Sequence, residues 1–312
     1  MSIQALLFHP LPMKRVWGGR QLETVYQRPL PDADPFGESW EVVDREDAQS
    51  FVTAGEFAGK SLNELWANHR EMIFGVGLPD SERFPILVKI LDAREDLSIQ
   101  VHPPAHKAEE LRGEPKTEMW YIADALPGAK LYVGLKAHSN REAFAKAIAD
   151  GTVADHVHEI PVSAGDSIFI PSGRLHAIGG GLLIFEIQQN SDTTYRVFDW
   201  NRMGLDGKAR ELHIEQSMAS IDFNDVEPSA NHPADSIIAS CEFFQVERIN
   251  LEQNESIGGT RADRFCLLHI VKGGLRSTDG AIFSAGQSIL LPVNAPALFA
   301  ESSTELLRTT MP

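Results

Sequence analysis

The chain has 312 residues, 43% hydrophobic and 23% charged, which is typical of a folded protein with a substantial core and not of a disordered one. Its formal net charge of −16 disfavours nucleic acid and anionic membranes as partners, but it leaves room for a local basic pocket. Only two cysteines occur, Cys241 and Cys266, which excludes a disulfide framework and a four-cysteine zinc site.

Cys266 lies in an apolar run, which predicts a buried free thiol. The sparse cysteine usage fits a reducing compartment. The first residues do not follow the signal-peptide pattern, and no apolar run reaches the length of a membrane span. Together these features predict a cytoplasmic protein.

Three short helices are predicted in the first half of the chain. Residues 61–64 form a capping-box pattern ahead of apolar residues at helical spacing. Two prolines precede a short helical segment at 105–113. A second capping-box pattern at 139–142 is followed by Gly151 as a stop signal. We interpret all three helices as coverings of a sheet.

Most of the remaining chain is predicted to form short β-strands, because β-branched and aromatic residues recur in runs bounded by Gly, Pro, Asp or Ser. The clearest runs are 130–133, 167–171, 182–188, 243–250 and 265–271. Many short strands with such boundaries predict a mainly β fold with a few helices, arranged as barrels or sandwiches.

One turn-and-strand sequence occurs twice. Residues 164–171 (AGDSIFIP) and 285–292 (AGQSILLP) are identical at five of eight positions, which predicts two related β-units. Only the first copy is followed by a histidine, His176. We therefore expect the first unit to bind metal and the second to have lost that capacity.

A polar, proline-containing segment, residues 225–235, is the predicted linker between these units. The predicted N-terminal part, residues 1–224, contains the helices and the catalytic unit. The predicted C-terminal unit, residues 236–312, is expected to cap the first.

Four side chains have the spacing and chemistry of metal ligands. Gln100 and His102 are two residues apart at a predicted strand end, so their side chains share a face. Glu118 lies in the strand-like sequence KTEMWYI, and His176 completes the pattern Gly-x5-Pro-x-Gly-x2-His. Two imidazoles, one carboxylate and one amide oxygen would keep a divalent cation Lewis-acidic. We expect one metal per chain, with Zn²⁺ preferred over Fe, Mn or Co.

The His176 pattern resembles the second signature motif of the cupin superfamily, although the usual His-x-His of the first motif is Gln100-x-His102 here. The sequences VWGG, SIQVHP, KTEMWY, EIQQNSDTTYRVFDW and DGKARELHIEQ resemble, in this order, the type I mannose-6-phosphate isomerases in their short bacterial form. The resemblance implies two cupin-type β-barrel (jelly-roll) units, the first metal-binding and the second degenerate.

The resemblance also implies a zinc-dependent aldose–ketose isomerase that interconverts mannose 6-phosphate and fructose 6-phosphate through an enediolate. Lys116 shares the face of Glu118, and a nearby cation would lower its pKa, so it is a candidate for the base or for substrate contact. Arg196 is expected to bind phosphate or enediolate oxygens, and Asp192 to aid ring opening or orient Arg196. Lys89, an isolated lysine in an apolar strand, is expected to bind substrate.

Three other functions remain open from the sequence. The protein could isomerise a different phosphosugar, or it could be an iron-dependent cupin dioxygenase, which needs no phosphate-binding cations. It could also be a sugar-binding regulatory protein without catalysis. The expected partner is a small phosphosugar, with no nucleic acid or membrane, and the oligomeric state is left open.

Overall fold

The computed structural model describes residues 3–231, 236–258 and 263–312. The fold is mainly β with a few short helices, which confirms the predicted fold class at that level. Within the described ranges, no helix is long and apolar enough to cross a membrane.

The strands are β1 (Leu6–Leu7), β2 (Leu11–Gly19), β3 (Phe36–Val42), β4 (Ile86–Ala93), β5 (Ile99–Val101), β6 (Glu118–Ala125), β7 (Lys130–Leu135), β8 (Val157–Pro161), β9 (Ser167–Ile170), β10 (His176–Ile178), β11 (Leu182–Gln189), β12 (Tyr195–Phe198), β13 (Ile237–Ser240), β14 (Gln245–Leu251), β15 (Ser256–Ile257), β16 (Cys266–Lys272), β17 (Gly274–Arg276), β18 (Ile282–Ser284), β19 (Ser288–Leu291), β20 (Leu298–Ala300) and β21 (Thr304–Thr310). The helices are α1 (Gln21–Thr24), α2 (Leu62–Asn68), α3 (Arg70–Ile73), α4 (Ala105–Ala108), α5 (Arg141–Asp150) and α6 (Ile214–Ser220), with a 3-10 turn at Val153–His156. All five predicted strand runs fall on strands, namely β7, β9, β11, β14 and β16.

The chain divides into two compact units. The central unit comprises Pro12–Ser39 and Lys89–His232, and the terminal unit comprises Met1–Leu11, Trp40–Val88 and Pro233–Pro312. The predicted boundaries at 1–224 and 236–312 rest on the sequence repeat and stay a prediction. Residues 232–235, the end of the predicted linker, lie outside the described residues.

The central unit contains a five-stranded sheet, in the order β12-β5-β10-β7-β8. It also contains most of a six-stranded sheet, in the order β2-β3-β4-β11-β6-β9. Side chains from both sheets, among them Trp17, Trp120, Val133 and Ile178, form one buried apolar cluster. The two sheets therefore face each other as a sandwich, with their alternate residues directed into the space between them.

The outer face of the β12-β5-β10-β7-β8 sheet carries a second apolar cluster. There Phe144 of α5 and Met218 of α6 pack with residues such as Val101 and Val197. Because these strands are apolar on this face, their opposite face is free to carry the polar side chains of a site. The interpretation of the 139–151 helix as a covering of a sheet is thus correct.

The terminal unit is also built from two sheets, in the orders β1-β19-β16-β21-β14-β13 and β15-β20-β17-β18. Cys266, Leu268 and Leu306 of the larger sheet share a buried cluster with Leu275 and Leu298 of the smaller one. Cys266 is fully buried, as predicted. None of the four sheets closes on itself within the described ranges, so the structure contains no closed barrel there, and the two predicted β-barrel (jelly-roll) units stay a prediction.

The repeated octapeptides form the same turn and strand in the two units. The Gly165 N–H donates to the Ile122 carbonyl at 2.8 Å, and the next residue's carbonyl accepts from the Ile122 N–H at 2.9 Å. Gly286 makes the same pair of bonds with Ile270, at 2.7 and 3.0 Å. Both glycines have positive φ, of 96° and 83°, which a residue with a side chain adopts at a cost.

The predicted helix starts differ in outcome. The capping box at 61–64 is present, with reciprocal bonds between Ser61 and Glu64. The second capping box is wrong by one residue, because the N-cap of α5 is Asn140, whose side-chain oxygen accepts from the Ala143 N–H at 2.9 Å. The Ser139 hydroxyl instead donates to the carbonyl of residue 156.

The predicted helix ends also differ. Gly151 ends α5 in the left-handed conformation, with φ of 73°, as the stop signal predicts. Helix α4 is shorter than predicted, since its regular part ends at Ala108 and the chain continues to Gly113 through turns.

Candidate metal centre

Three predicted ligands converge in the space between the facing sheets of the central unit. His102 follows the end of β5, His176 begins the adjacent β10, and Glu118 begins β6 of the opposite sheet. One potential ligand atom from each lies within 4.8 Å of the others. Residues separated by 16 and 58 positions along the chain therefore form one compact group.

The two histidines are oriented by their Nδ1 atoms. His102 Nδ1 lies 2.7 Å from the Thr193 carbonyl oxygen, and His176 Nδ1 lies 2.9 Å from the Arg174 carbonyl oxygen. A carbonyl oxygen can only accept, so each Nδ1 carries the proton and each Nε2 presents a lone pair. Those Nε2 atoms lie 3.6 and 3.5 Å from Glu118 Oε1. Such backbone-anchored imidazoles are typical of metal ligands.

Buried polar atoms of this group have no hydrogen-bonding partner among the described residues. His102 Nε2 and Glu118 Oε1 are inaccessible to solvent and make no hydrogen bond. Leaving such atoms unsatisfied in a dry interior costs about 1–3 kcal/mol each, and more for a charged group. A divalent cation bound between them would satisfy both atoms, so the donor set fits a metal.

The protonation states suit the same role. Burial lowers the pKa of His176 to about 3 and also lowers the pKa of His102, which keeps both imidazoles neutral. Burial alone would raise the pKa of Glu118, but the charge of Lys116, with smaller contributions from the neighbouring imidazoles, outweighs it, and the pKa falls below its ordinary value. The result is two neutral nitrogen donors and one carboxylate.

Gln100 lies beside this group. Its Cα is directly opposite that of His176 in the β5–β10 ladder, and its Nε2 lies 3.4 Å from His176 Nε2. Its Oε1 accepts a hydrogen bond from the Ser98 hydroxyl at 3.1 Å. The amide thus turns its nitrogen toward the centre, and a ligand role for Gln100 stays a prediction.

Lys116 is fully buried next to the centre. Its Nζ lies 2.7 Å from Glu118 Oε2 and 3.6 Å from Glu186 Oε1. Burial lowers the pKa of Lys116, but the attraction of Glu118 and Glu186 is stronger, so the pKa rises above its ordinary value. The sequence-based expectation of a lowered pKa assumed a neighbouring cation; the two carboxylates by themselves act in the opposite direction.

Lys89 is buried close to Lys116, because both side chains contact the carboxylate of Glu186. Its side chain is 4% exposed, and Nζ lies 3.6 Å from Glu186, 3.7 Å from Asp192 and 3.9 Å from Glu38. The burial of a lone lysine is thus compensated by three carboxylates. The structure brings Lys89, Lys116 and Asp192 together around Glu186.

Arg196 lies on β12, which pairs with β5 on the side away from His176 and β10. It is paired with Gln100 across β12 and β5, so Arg196, Gln100 and His176 form one cross-strand row on the inner face of the sheet. Its Nη1 donates to the Glu211 carbonyl at 2.7 Å. Asp192 contacts Lys89 rather than Arg196 in the described ion pairs, so an orienting role toward Arg196 has no direct contact behind it.

These side chains surround a cavity of about 430 Å³. It is lined by Arg15, Trp17, Glu38, Lys89, Leu91, Leu97, Ser98, Gln100, Lys116, Trp120, His176, Ile178, Glu186, Asp192, Thr194, Arg196 and Arg210. Its polar character, with five basic side chains, suits an anionic and hydroxylated ligand.

Four charged residues of the cavity wall were missed by sequence reasoning: Arg15, Glu38, Glu186 and Arg210. For Glu186 a signal existed, since an acid in the apolar strand LLIFEIQ is as unusual as Lys89 in LVKIL. The Trp120 indole N–H donates to Glu186 at 3.0 Å, which fixes its carboxylate. The other three carry no local signal, because only the fold brings them to the cavity.

The fold and the centre together define a class: mainly β proteins with a buried His/Glu/His group that could hold a metal, in a cavity rich in lysine and arginine. A family model, "Phosphomannose isomerase type I, catalytic domain", matches residues 8–125. The chain is 35% identical over 304 residues to mannose-6-phosphate isomerase ManA of Bacillus subtilis (strain 168), covering 94% of each chain. It is 36% identical over 291 residues to the mannose-6-phosphate isomerase of Streptococcus mutans serotype c, covering 89% of each. The chain belongs to the type I phosphomannose isomerase family.

Solved structures agree with this assignment. The crystal structure of mannose 6-phosphate isomerase from Bacillus subtilis superimposes with a TM-score of 0.88 at 29% identity, covering 99% of this chain and 100% of that one. The apo form of the enzyme from Salmonella typhimurium gives a TM-score of 0.78 at 16% identity, with 99% of each chain covered. At that identity the second comparison shows a shared fold only.

Proposed function

We propose that this isomerase interconverts mannose 6-phosphate and fructose 6-phosphate in a metal-dependent aldose–ketose reaction. The observation that carries the proposal is the His102–Glu118–His176 group opening onto a cavity lined by lysine and arginine. The family relatives that cover nearly the whole chain are named for the same reaction.

We propose one Zn²⁺ per chain, held by His102 Nε2, His176 Nε2 and a Glu118 carboxylate oxygen. Imidazole and carboxylate donors suit zinc, and other divalent metals such as Fe, Mn or Co fit similar donors. Gln100 would join as a fourth ligand after a rotation of its amide, which exchanges nitrogen for oxygen at the position near His176. The bound metal would supply Lewis-acid stabilisation of the negative charge on the sugar oxygens.

We assign the proton chemistry to the buried groups beside the centre. Lys116 Nζ, held between Glu118 and Glu186, would contact the sugar near C1 and C2 and hold or release a proton there. The pKa of Glu186 is raised, and burial is the largest cause. This carboxyl is therefore a second group that can carry a proton. No redox cofactor is needed for a proton transfer between neighbouring carbons.

Binding and ring opening are assigned to the remaining predicted residues. Lys89, paired with Asp192 and Glu186, would donate to sugar hydroxyls, and Asp192 would assist ring opening. Arg196 would bind anionic oxygens of the substrate with its planar guanidinium. All three lie on the wall of the same cavity.

We further propose that the fold is a pair of cupin-type units, with a linker at 225–235 and a second unit that binds no metal. The identical turns at Gly165 and Gly286 support a common origin for the two halves. The cysteine usage supports a cytoplasmic location.

Turnover measurements would test the function. Purified protein should convert fructose 6-phosphate to mannose 6-phosphate, lose this activity with a chelator and regain it with Zn²⁺. Oxygen uptake dependent on iron would instead indicate a dioxygenase, and sugar phosphate binding without turnover would indicate a regulatory protein. Faster turnover of a different phosphosugar would overturn the substrate assignment alone.

A further inference from the structure

The charges on the cavity wall are unevenly distributed. Arg15 binds Glu38 through two hydrogen bonds of 2.9 Å, and Lys89 lies within 4 Å of Glu38, Glu186 and Asp192. These carboxylates do not belong to the His/Glu/His group, so they neutralise their cations whether or not a metal is bound. Arg15 and Lys89 therefore have little uncompensated charge for a phosphate dianion.

The opposite wall has an excess of positive charge. Arg202 and Arg210 both bind the single carboxylate of Asp199, and the nearby Arg196 has no ion pair with a carboxylate of the described residues. Burial lowers the pKa of Arg196, and the charges of Arg210 and Arg202 lower it further, which together outweigh the opposite effects of Asp199 and Glu211. The exposed Glu95 approaches Arg202 only to 4.0 Å, and Glu211 is hydrogen-bonded to Arg196 through its backbone carbonyl. Among the described residues, Asp199 is therefore the only carboxylate hydrogen-bonded to these three guanidinium groups.

Two of these arginines have N–H groups available for a ligand. Arg196 Nε is buried and makes no hydrogen bond to any residue that the structure describes, while Nη1 donates to the Glu211 carbonyl. Asp199 occupies Nε and Nη2 of Arg210, which leaves its Nη1 without a partner among the described residues. Both guanidinium groups line the cavity, whereas Arg202 does not.

The segment from Asp199 to His213 also fixes the position of Arg196. The Arg196 N–H donates to His213 Nδ1 at 3.2 Å, and its carbonyl accepts from the His213 N–H at 2.8 Å. With the bond from Nη1 to Glu211, this gives Arg196 three contacts to the same segment. The sequence DGKARELH, which had no assigned role, therefore builds this wall.

We propose that Arg210 and Arg196 together bind the phosphate group of the substrate, with Asp199 as the positioning residue that holds Arg210. A phosphate dianion accepts paired N–H bonds from guanidinium groups, and such charge-assisted bonds are the strong ones. Because Arg196 is opposite Gln100 in the β12–β5 ladder, the phosphate would lie beside the row that leads to the metal centre. The assignment rests on the proposed phosphosugar isomerase function.

The test compares Arg210→Ala, Arg210→Lys and Arg202→Ala in the zinc-loaded enzyme. Arg210→Ala should raise KM for fructose 6-phosphate roughly 10- to 100-fold, as expected for losing charge-assisted hydrogen bonds, while kcat changes much less. The KM of Arg210→Lys should lie between those of the wild type and Arg210→Ala, because lysine keeps the charge but not the paired N–H groups. Arg202→Ala removes the same charge from the same carboxylate but no cavity contact, so its KM should change less than about threefold.

Inorganic phosphate gives a readout that does not require turnover. Titration calorimetry should show phosphate binding that is weakened to the same extent as KM in Arg210→Ala and that is also weakened in Asp199→Asn, with unchanged zinc content and melting temperature. If the enzyme turned over no sugar phosphate but bound phosphate in this pattern, the proposed function would fail and the anion site would stand. Equal phosphate affinity in wild type and Arg210→Ala, or an equal loss in Arg202→Ala, would overturn the site.

Discussion

The ammonium of Lys116, which lies just before β6, is 2.7 Å from the carboxylate of Glu118, the first residue of that strand. A carboxylate of the His/Glu/His group and a buried ammonium thus share one short contact beside the cavity. Lys116 holds Glu118 ionised, and Glu118 holds Lys116 protonated. This mutual dependence makes Lys116 the first residue to test.

Replacing Lys116 by Met should abolish most of the turnover. We expect kcat to fall about 100-fold or more, the usual effect of removing a group that takes part in proton transfer. Zinc content should persist, because both imidazoles and Glu118 remain. Lys146→Met, a change at an exposed position of α5, is the matched control and should keep full activity. Wild-type kcat in Lys116→Met would remove this residue from the mechanism.

Replacing His176 by Ala should remove the metal. His176 supplies one of two imidazoles, and its loss leaves His102 and Glu118 as too small a donor set for stable binding. Metal analysis after dialysis should find zinc in the wild type and in the control His158→Ala, but not in His176→Ala. Retention of zinc in His176→Ala would place the metal elsewhere.

Acid should weaken the terminal unit through His269. This side chain is fully buried between Ser288 Oγ at 2.8 Å and Thr309 Oγ1 at 3.0 Å, and burial lowers its pKa from 6.5 to about 3. Between those pH values the unfolded state binds the extra proton. The free energy of unfolding should therefore fall by up to about 1.4 kcal/mol per pH unit as pH drops below 6.5.

Urea unfolding of the zinc-loaded protein at pH 7, 6 and 5 would measure this slope. His269→Gln keeps a donor and an acceptor at the site but does not titrate. It should lose less stability on acidification than the wild type. Parallel pH curves for the two proteins would show that His269 contributes nothing to acid sensitivity.

The start of α5 offers a test of its corrected cap. Asn140→Ala removes the bond to the Ala143 N–H and should lower the free energy of unfolding by about 1 kcal/mol. Glu142→Ala would cost as much only if residues 139–142 formed a capping box; we expect a change of a few tenths of a kcal/mol. Chemical denaturation of both variants separates the two arrangements.

Cys266 should be inert in the native protein. It is fully buried, and burial raises the pKa of its thiol to about 12, so almost no thiolate exists at neutral pH. Iodoacetamide should modify the half-buried Cys241 first and reach Cys266 only after unfolding. Mass spectrometry of peptides from native and denatured protein provides the measurement.

The grouping of His102, Glu118 and His176 could be predicted from the sequence because its signals are local. The Gln100-x-His102 spacing, the Gly and Pro positions before His176, and the strand around Glu118 each fix one side chain relative to its own backbone. The repeat at 164–171 and 285–292 likewise predicted a shared turn. Such features need only the two-residue period of strands and the turn preferences of glycine.

Other features depend on contacts between distant segments, which no local pattern encodes. Arg210 reaches the cavity because Asp199 and the Arg196–His213 pairing fold its segment back onto β12. The cap of α5 was misplaced because Ser139 and Asn140 are both good caps, and a tertiary bond from Ser139 to residue 156 decides between them. The orientation of the Gln100 amide likewise depends on Ser98 and His176 together.

The common turn makes the first five residues of β6, Glu118 to Ile122, comparable with the first five of β16, Cys266 to Ile270. Ile122 and Ile270 occupy equivalent positions, so Glu118, opposite Ile170, corresponds to Cys266, opposite Leu291. The same scaffold therefore folds with a small apolar residue where the central unit buries a carboxylate. A buried carboxylate at position 118 is thus expected to lower stability relative to a small apolar residue. Its presence is explained by a function in the site and not by packing.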